Sequence, residues 1–341
     1  MRLLITGAAG QLGSELETIL SSGHADIGPL PAAYQNAELL LTDTADLDIT
    51  DADKVERYLA ANAVDIVFNC AAFTNVDACE SQPELAFSVN ATGPQNLATA
   101  CERHGAVLVH LSTDYVFSGD EASARSEGDP VAPKSVYGES KLAGEKAVAE
   151  ACRRHFIVRT AWLYGSVGNN FVRTILRLAR ENGVIKVVDD QRGNPTNAND
   201  LAWHLLRLAL SEDFGLYHCS GNGSCSWFEF ASAIVDGAQI PCEKIPCTTA
   251  EFPRPAPRPA FSILDNARLR ASIGDAMRPW PEALAAFLSQ VSAAEKAAER
   301  GAAAGVDAAP LSVGSAAVDS SAAAAGSPAA PADPDTKARR S

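Results

Sequence analysis

The sequence has little that favours a membrane or a nucleic-acid partner. No apolar segment is long enough to cross a bilayer, and the apolar run at residues 1–6 ends at Gly7, too short for the core of a signal peptide. Positive charge is also scarce: 28 Lys and Arg stand against 42 Asp and Glu, for a formal net charge of -14. Such a surface repels nucleic acid and anionic membranes. We therefore predict a soluble, cytoplasmic protein with neither of these partners.

Motifs for metal binding and for serine nucleophiles are missing as well. The eight cysteines contain no Cys-x-x-Cys, and the six histidines contain no His-x-x-x-His or His-Glu-x-x-His pair. The Gly-x-Ser-x-Gly elbow of serine hydrolases is absent. The sequence therefore predicts reduced cysteines, no resident metal, and neither a metal-dependent nor a serine hydrolase.

Short apolar runs alternate with helical patterns over the first two thirds of the 341 residues. This alternation is typical of strand–helix units, so the predicted fold class is α/β, a Rossmann-type doubly wound parallel sheet. We predict strands at 2–6, 39–42, 66–70, 107–112, 156–160, 185–188 and 215–219, and helices at 11–21, 55–61, 83–104, 138–152, 171–181, 200–210, 226–236, 265–273 and 281–294.

Three glycines, Gly7, Gly10 and Gly13, directly follow the first predicted strand. Between a strand and a helix, glycines permit a tight turn, close approach of the backbone to a pyrophosphate, and close helix–strand packing. The amides at the helix N-terminus then face the phosphates. The Gly-x-x-Gly-x-x-Gly spacing resembles the extended branch of the short-chain dehydrogenase/reductase superfamily. This resemblance implies a nicotinamide cofactor, with Gln11 and Leu12 as further contacts.

Two later segments complete the predicted cofactor site. Asp43 and Asp48 follow the second strand, where carboxylates bind ribose hydroxyls or the adenine amine, and no arginine stands there to hold a 2′-phosphate. This modestly favours NADH, and the predicted cofactor is NADPH or NADH. Small residues after the third strand suit a cofactor lying against backbone, with ordinary close packing as the alternative. The predicted contacts from these segments are Asp48, Ile49, Ala71, Ala72 and Phe73.

Tyr137-Gly-Glu-Ser-Lys141 places a phenol and an ammonium at i and i+4, on one face of a predicted helix. A free tyrosine has a pKa of about 10, and a cation beside it favours the phenolate. The spacing also occurs by chance, in which case Tyr137 is a surface tyrosine and Lys141 a solvated lysine. Together with the glycine motif, the pair indicates acid–base chemistry.

In the superfamily, a Ser or Thr at a strand end converges with the Tyr-x-x-x-Lys pair on a substrate carbonyl. The resemblance implies that Thr113 hydrogen-bonds the carbonyl oxygen, that Tyr137 donates the proton, and that Lys141 holds the nicotinamide ribose and stabilises the tyrosinate. Tyr115 is a rival phenol without a lysine at i+4. Ser112 is a rival for Thr113, although alternation along a strand points their side chains in opposite directions.

Several ordered segments narrow the resemblance. Segments 112–117, 137–145, 158–165, 188–196 and 257–262, in unbroken order within residues 1–290, closely resemble the dTDP-4-dehydrorhamnose reductase family. The resemblance implies NAD(P)H-dependent reduction of the C4 keto group of dTDP-4-dehydro-L-rhamnose to dTDP-L-rhamnose. The expected partner is therefore a small-molecule nucleotide sugar.

The same resemblance assigns residues to this substrate. Thr113, Asp114 and Trp162 are expected to face the deoxyhexose, and Asn170 and Arg258 the nucleotide part. The alternative for Trp162 is a core tryptophan, and for Arg258 a pair with a surface carboxylate. Two other functions stay open: another nucleotide-sugar reductase or epimerase of the extended family, and a non-catalytic subunit resembling the regulatory subunit of methionine adenosyltransferase.

We divide the chain into three predicted parts. Residues 1–165 form mainly the NAD(P)-binding domain, which carries the catalytic pair. Residues 166–295 form mainly a smaller substrate-binding subdomain, with a possible chain crossover. Residues 296–341 are rich in Ala, Gly, Ser and Pro, a composition that predicts a disordered tail.

Oligomerisation is open at this point. Some members of the family are metal-bridged dimers that use surface glutamates. Glu15 matches one such position, but Asn199 stands where a second glutamate is needed. We therefore predict no bridging metal, and either a monomer or a homodimer.

Overall fold

The computed structural model describes residues 1–303 and 325–326. Its strands are β1 (Arg2–Thr6), β2 (His24–Ala25), β3 (Gly28–Pro29), β4 (Glu38–Thr42), β5 (Ile66–Asn69), β6 (Val107–Thr113), β7 (His155–Thr160), β8 (Leu163–Tyr164), β9 (Val184–Val188), β10 (Arg192–Gly193), β11 (Thr196–Asn197), β12 (Gly215–His218), β13 (Cys225–Ser226), β14 (Glu243–Cys247) and β15 (Ala325–Gly326). Its α-helices are α1 (Gln11–Ser22), α2 (Ala52–Asn62), α3 (Val76–Ser81), α4 (Pro83–Phe87), α5 (Gly93–His104), α6 (Val136–Ala151), α7 (Phe171–Asn182), α8 (Ala198–Leu208), α9 (Trp227–Gly237), α10 (Ala267–Ser272) and α11 (Trp280–Ala303).

Six parallel strands form the central sheet, in the order β12-β7-β6-β5-β1-β4. From β1 the chain passes to β4 on one side and then to β5 on the other, so the strand order reverses between β1 and β5. In an open α/β sheet, ligands bind outside the carboxyl ends of the strands at such a switch point. The predicted doubly wound α/β fold is confirmed.

Helices cover both faces of this sheet because each strand buries side chains on both sides. Leu3 and Ile5 of β1 pack in one cluster with α1 and α8, whereas Leu4 packs in another with α2, α5 and α6. In β5, Phe68 belongs to the first cluster and Val67 to the second. Strands that are apolar on both faces are typical of a parallel sheet between helical layers.

A separate apolar cluster lies among α7, α9, α11 and β9, where Ile175, Phe230 and Phe287 are buried. The chain does not stay in this part of the molecule. After β9 it returns to the central sheet through α8, which packs with the first cluster, and β12, which pairs with β7. We propose that the two parts divide near residue 165, with α8 and β12 as the chain crossover.

Most predicted elements lie within a few residues of the observed ones, and the segment predicted as a single helix over 83–104 differs most. A π turn, Ser88–Thr92, joins α4 to α5. Its Asn90 side chain binds the backbone N–H and C=O of Phe73 at 2.8 and 3.0 Å, and Ser140 Oγ at 3.0 Å. π turns often occur at functional sites. Through the side chain of Asn90, this π turn holds the backbone at Phe73 and the hydroxyl group of Ser140 in place.

The last helix extends further than predicted, to Ala303. Residues 296–303 of the segment predicted to be disordered form the end of α11. The rest of that segment lies outside the described part of the chain, apart from β15, which pairs with β9. Among the helices described, none combines the length and the apolar composition that a bilayer crossing requires.

Candidate active site

A cleft of about 330 Å³ opens at the carboxyl ends of the central strands. Of the residues predicted for the site, it brings together Gly7, Gly10, Gln11, Leu12, Gly13, Ala72, Thr113, Asp114, Tyr137, Lys141, Trp162 and Asn170. These residues come from segments that are far apart in the chain. The parallel sheet assembles them because it places the ends of its strands along one edge.

One end of the cleft is formed by the loop from β1 into α1. Gly7 has a φ of +64°, the left-handed region that favours glycine. Gly13 packs on the same turn, where a Cβ would lie 2.4 Å from the Gly7 carbonyl oxygen. α1 begins after Gly10 without a capping side chain. Its first-turn amides are therefore available at the cleft, an arrangement that suits an anionic diphosphate.

Gly13→Ala is expected to distort this loop, because the added methyl group meets backbone atoms that cannot move independently. We expect a loss of about 1–3 kcal/mol in the free energy of unfolding, together with weaker NADPH binding. Urea unfolding and fluorescence titration with NADPH measure the two effects. Gly128→Ala is the control, since nothing lies within 4 Å of a Cβ at Gly128; equal behaviour of the two variants contradicts the prediction.

Thr113 and Asp114 lie at the carboxyl end of β6, and both are buried. Thr113 Oγ1 donates to Asp114 Oδ1 at 2.9 Å and accepts from the Tyr115 N–H at 3.2 Å. Burial raises the pKa of Asp114 to about 6, and the neighbouring hydroxyl groups of Ser262 and Thr113 oppose this shift. Asp114 Oδ2 has no hydrogen-bond partner among the described residues. The carboxyl group therefore keeps an acceptor for a ligand.

Tyr137 and Lys141 line the cleft from α6. Lys141 is only 3% exposed, and its Nζ donates to the Leu111 carbonyl oxygen at 2.5 Å. Burial lowers the pKa of Lys141 to about 8, while the Glu145 carboxylate acts in the opposite direction. The Tyr137 ring meets the Tyr115 ring edge-on, with centroids 5.4 Å apart. Both candidate phenols therefore lie at the same wall.

Glycines allow α6 to approach the rest of the site. A Cβ at Gly138 would lie 2.3 Å from the Tyr115 carbonyl oxygen, and one at Gly144 would lie 2.1 Å from the Asn90 carbonyl oxygen. Ser135 begins the helix by accepting from the Gly138 N–H at 3.2 Å. These glycines thus allow α6 to pack closely against the segment that follows β6 and against the π turn.

Beneath the site, Glu145 and Arg159 form a buried ion pair, with side chains 7% and 4% exposed. Arg159 Nε donates to Glu145 Oε1 at 2.8 Å, and its Nη2 donates to Oε2 at 2.7 Å. Ser112 Oγ also donates to Oε1, at 2.5 Å. The hydroxyl of Ser112 is therefore engaged by Glu145, whereas that of Thr113 lies beside Asp114.

The other end of the cleft is aromatic. Trp162 has a φ of +47°, and its indole stacks on that of Trp227 with ring centroids 3.4 Å apart and an angle of 6° between the planes. Phe171 lies 4.4 Å from Trp227 between centroids. Trp162 also packs against the cluster of α7, α9 and α11. It therefore belongs both to the wall of the cleft and to the edge of a core.

Asn170 and Arg258, predicted near the nucleotide part, differ in position. Asn170 lines the cleft, but its amide is used within the chain: Oδ1 accepts from the Arg173 N–H at 3.1 Å and Nδ2 donates to the Gly165 carbonyl oxygen at 2.9 Å. Arg258 does not line the cleft. Its Nη2 lies 3.1 Å from Asp77 Oδ1. Arg258 therefore pairs with a carboxylate, as in the alternative, but the pair is largely buried and does not lie at the surface.

Four residues predicted to contact the cofactor do not line the cleft: Asp48, Ile49, Ala71 and Phe73. Asp48 Oδ1 accepts instead from the N–H and the hydroxyl of Thr50, at 3.0 and 2.7 Å. Hydrogen bonding to Thr50 also lowers the pKa of Asp48. Asp43 is nearer the glycine loop, since its Oδ2 accepts from the Ala9 N–H at 3.1 Å.

Glu15, which matches a bridging position in some family members, is 6% exposed. Its Oε2 accepts from Asn199 Nδ2 at 3.1 Å, and its Oε1 accepts from the Ser166 N–H at 3.3 Å. Both carboxylate oxygens bind donors of the same chain. This geometry does not fit a surface carboxylate that shares a metal with a second subunit.

Several residues of the cleft were not predicted from the sequence, among them Thr74, Val76, Thr160 and Trp227. Trp227 had a local signal, because Ser226 and Glu229 form a capping box at the start of α9. Such a signal predicts where a helix begins but not which residue its first side chain will contact.

The chain is similar to known proteins over most of its described length. A family model described as the RmlD substrate binding domain matches residues 1–293. A dTDP-4-dehydrorhamnose reductase of Mycobacterium tuberculosis is 42% identical over 295 residues, covering 84% of this chain and 92% of that protein. The chain belongs to the dTDP-4-dehydrorhamnose reductase family.

Members of this family are oxidoreductases, and so is this chain. This chain is similar to dTDP-4-dehydrorhamnose reductase from Bacillus anthracis, whose crystal structure was solved in complex with NADP. The two sequences are 41% identical and the two structures superpose with a TM-score of 0.79. The match covers 85% of this chain and 99% of the Bacillus anthracis chain. A probable dTDP-4,6-dihydroxy-2-methyloxan-3-one 4-ketoreductase of Streptomyces antibioticus is 40% identical, covering 86% of this chain and 97% of that protein. The family resemblance inferred from the motifs is confirmed.

Proposed function

We propose that this protein reduces the C4 keto group of dTDP-4-dehydro-L-rhamnose to dTDP-L-rhamnose, with NADPH or NADH as the reductant. The observation that carries the proposal is a single cleft that joins the glycine loop, Thr113, Tyr137 and Lys141, and an aromatic wall. Membership of the reductase family supports the nucleotide-sugar substrate.

The residues of the cleft fit a nicotinamide dinucleotide. The uncapped start of α1 offers amides to a diphosphate, and Asp43 lies beside the glycine loop, where it suits a ribose hydroxyl. Gln11 Oε1 and Thr160 Oγ1 are buried at the cleft without hydrogen-bond partners among the described residues. Lys141 is assigned to the nicotinamide ribose. When bound, the reduced cofactor supplies the hydride for the carbonyl carbon.

The chain's own residues act on the carbonyl oxygen. Tyr137 donates its phenolic proton to this oxygen, and the ammonium group of Lys141, one turn further along α6, stabilises the tyrosinate that remains. Thr113 donates a hydrogen bond to the same oxygen, which requires its hydroxyl hydrogen to rotate away from Asp114. Asp114 Oδ2 then accepts from a sugar hydroxyl.

Substrate binding is assigned to the aromatic end of the cleft. Trp162 offers an apolar face to the deoxyhexose. Asn170 holds the loop between Gly165 and α7, and so shapes the wall near the nucleotide. Arg258 keeps the segment around residue 258 docked on Asp77, and we assign it no direct contact with the nucleotide.

The decisive experiment follows absorbance of the reduced nicotinamide with purified protein and dTDP-4-dehydro-L-rhamnose. NADPH and NADH are assayed separately, because the lean toward NADH rests only on the absence of an arginine after the second strand. Turnover of another nucleotide 4-ketosugar, with no reaction of this one, overturns the substrate assignment and favours a related reductase. The Streptomyces antibioticus relative makes such a ketosugar a specific second candidate.

We propose a monomer or a homodimer, to be distinguished by light scattering.

The pH dependence of the reaction is expected to follow Lys141. Its ammonium group has a pKa lowered by burial to about 8, and the charge is needed to stabilise the tyrosinate. We therefore expect kcat/KM, which reports free-enzyme groups, to fall as the pH rises through about 8. A profile that stays flat to pH 10 contradicts this role.

The lowered pKa of Lys141 also predicts how folding stability changes with pH. Between pH values of about 8 and 10.5, the pKa values of Lys141 in the folded protein and of an ordinary lysine, the unfolded chain binds more protons at this position than the folded chain. The contribution of Lys141 to folding stability must therefore become more favourable as pH rises through this window. Urea unfolding of the natural protein and of Lys141→Met at both ends of the window isolates this contribution from other titrating groups. Parallel pH profiles for the two proteins contradict the assignment.

A further inference from the structure

Trp162, at the aromatic end of the cleft, has a backbone conformation that requires support from its surroundings. Its φ of +47° lies in the left-handed region, which bulky residues rarely adopt. Such a conformation persists only where neighbouring structure determines it, and it is found most often at functional sites. The Trp162 carbonyl oxygen accepts from the Thr196 N–H at 3.1 Å, which holds the backbone but not the indole.

Two residues hold the indole itself. Trp227 stacks on it with centroids 3.4 Å apart and planes within 6°. Gly193 lies so close that a Cβ there would be 2.4 Å from Trp162 Cε2 and 2.5 Å from Nε1. Any side chain at Gly193 therefore displaces the indole. We call Trp162, Gly193 and Trp227 the tryptophan clamp.

The two holding residues are linked to each other independently of Trp162. β10 pairs antiparallel with β13, with Gly193 opposite Cys225. Trp227 follows β13 directly and opens α9, whose start is determined by the capping box of Ser226 and Glu229. The distance between Gly193 and Trp227 is thus determined by a strand pair and a helix cap, so the space left for the indole is preformed.

We propose that Gly193 and Trp227 are positioning residues, which hold the indole of Trp162 as the surface against which the sugar ring binds. The inference rests on the proposed function. Trp162 and Trp227 line the same cleft as Thr113 and Asp114. A flat apolar surface suits the C–H face and the methyl group of a deoxyhexose, while the polar groups at the end of β6 bind its oxygens.

The test combines kinetics with circular dichroism in Trp227→Leu, Trp227→Phe and Gly193→Ala. Two stacked indoles couple electronically and give a band pair of opposite sign in the far ultraviolet. Of the four tryptophans, all of them in the described residues, only Trp162 and Trp227 stack on each other. Trp203→Phe is the control, because Trp203 lies outside the cleft and bonds the Pro29 carbonyl oxygen.

We expect the band pair in the natural protein and in Trp203→Phe, and its loss in Trp227→Leu. Trp227→Leu and Gly193→Ala should raise KM for the nucleotide sugar, and the Kd of dTDP-L-rhamnose, by about tenfold to a hundredfold. NADPH affinity should stay unchanged, which also shows that the variants are folded. Trp227→Phe should recover part of the lost affinity because a phenyl ring can still stack.

Each contrary result has a distinct meaning. Normal KM for the nucleotide sugar in Trp227→Leu overturns the clamp. Failure of the natural protein to turn over or bind any dTDP-sugar overturns the proposed function, and the clamp's role in sugar binding falls with it. Turnover by the natural protein with unaltered kinetics in all three variants overturns only the clamp.

Discussion

Tyr137→Phe is expected to lower kcat for keto reduction by about a hundredfold to ten-thousandfold, the usual contribution of a positioned general acid. The substitution removes the phenolic proton and keeps the ring, so the edge-on contact with Tyr115 survives. NADPH affinity and the free energy of unfolding should therefore change little. Single-turnover oxidation of NADPH with the ketosugar measures the chemical step, and fluorescence titration measures cofactor binding.

Tyr115→Phe is the matched control, because this phenol lies at the same wall, with its ring centroid 5.4 Å from that of Tyr137. We expect a much smaller loss of kcat, since Tyr115 has no lysine at i+4. If Tyr115→Phe is the inactive variant and Tyr137→Phe retains normal kcat, the proton donor has been assigned to the wrong tyrosine. Equal, moderate losses in both point instead to a shared hydrogen-bonding role.

Glu145→Ala is expected to lower the free energy of unfolding by about 3–5 kcal/mol, the usual cost of leaving one partner of a buried ion pair uncompensated. The Arg159 side chain is only 4% exposed. Its guanidinium would keep just a distant contact with His218 Nε2, at 3.5 Å, and its position 5.0 Å from the Phe117 ring centroid. Urea unfolding measures the loss.

Two further variants determine whether burial is the reason. Glu181→Ala breaks the exposed pair of Arg177 and Glu181, whose side chains are 57% and 54% exposed, and should cost about 0.5 kcal/mol or less. Replacing Glu145 and Arg159 together with Leu should cost much less than the sum of the single changes, because neither charge is then left alone. A loss in Glu145→Ala no greater than that in Glu181→Ala refutes the argument.

The Glu145–Arg159 pair also connects stability to the site. Glu145 accepts from Ser112 Oγ at 2.5 Å, and Ser112 precedes Thr113 at the end of β6. On the same helix face, Glu145 stands one turn beyond Lys141, whose pKa its carboxylate raises against the effect of burial. We therefore expect loss of Glu145 to lower kcat as well, by loosening Thr113 and by favouring neutral Lys141.

The elements of this protein follow closely from local sequence pattern. The strand predicted at residues 2–6 is β1, Arg2–Thr6, because an apolar run there ends at a glycine that turns the chain. The helix predicted over 83–104 contains a π turn, which the pattern does not reveal. That turn is supported by Asn90 through its contacts with Phe73 and Ser140, residues that only the fold brings near.

Sequence alone determined the glycine loop, the Tyr137–Lys141 pair, the doubly wound sheet and the family, because each depends on residues close in the chain or on motifs in fixed order. Only the tertiary structure decided that Asn170 uses its amide in a helix cap, that Arg258 pairs with Asp77 outside the cleft, and that Trp227 stacks on Trp162. These contacts join distant segments. Their geometry depends on how helices and strands pack, which short-range periodicity does not encode.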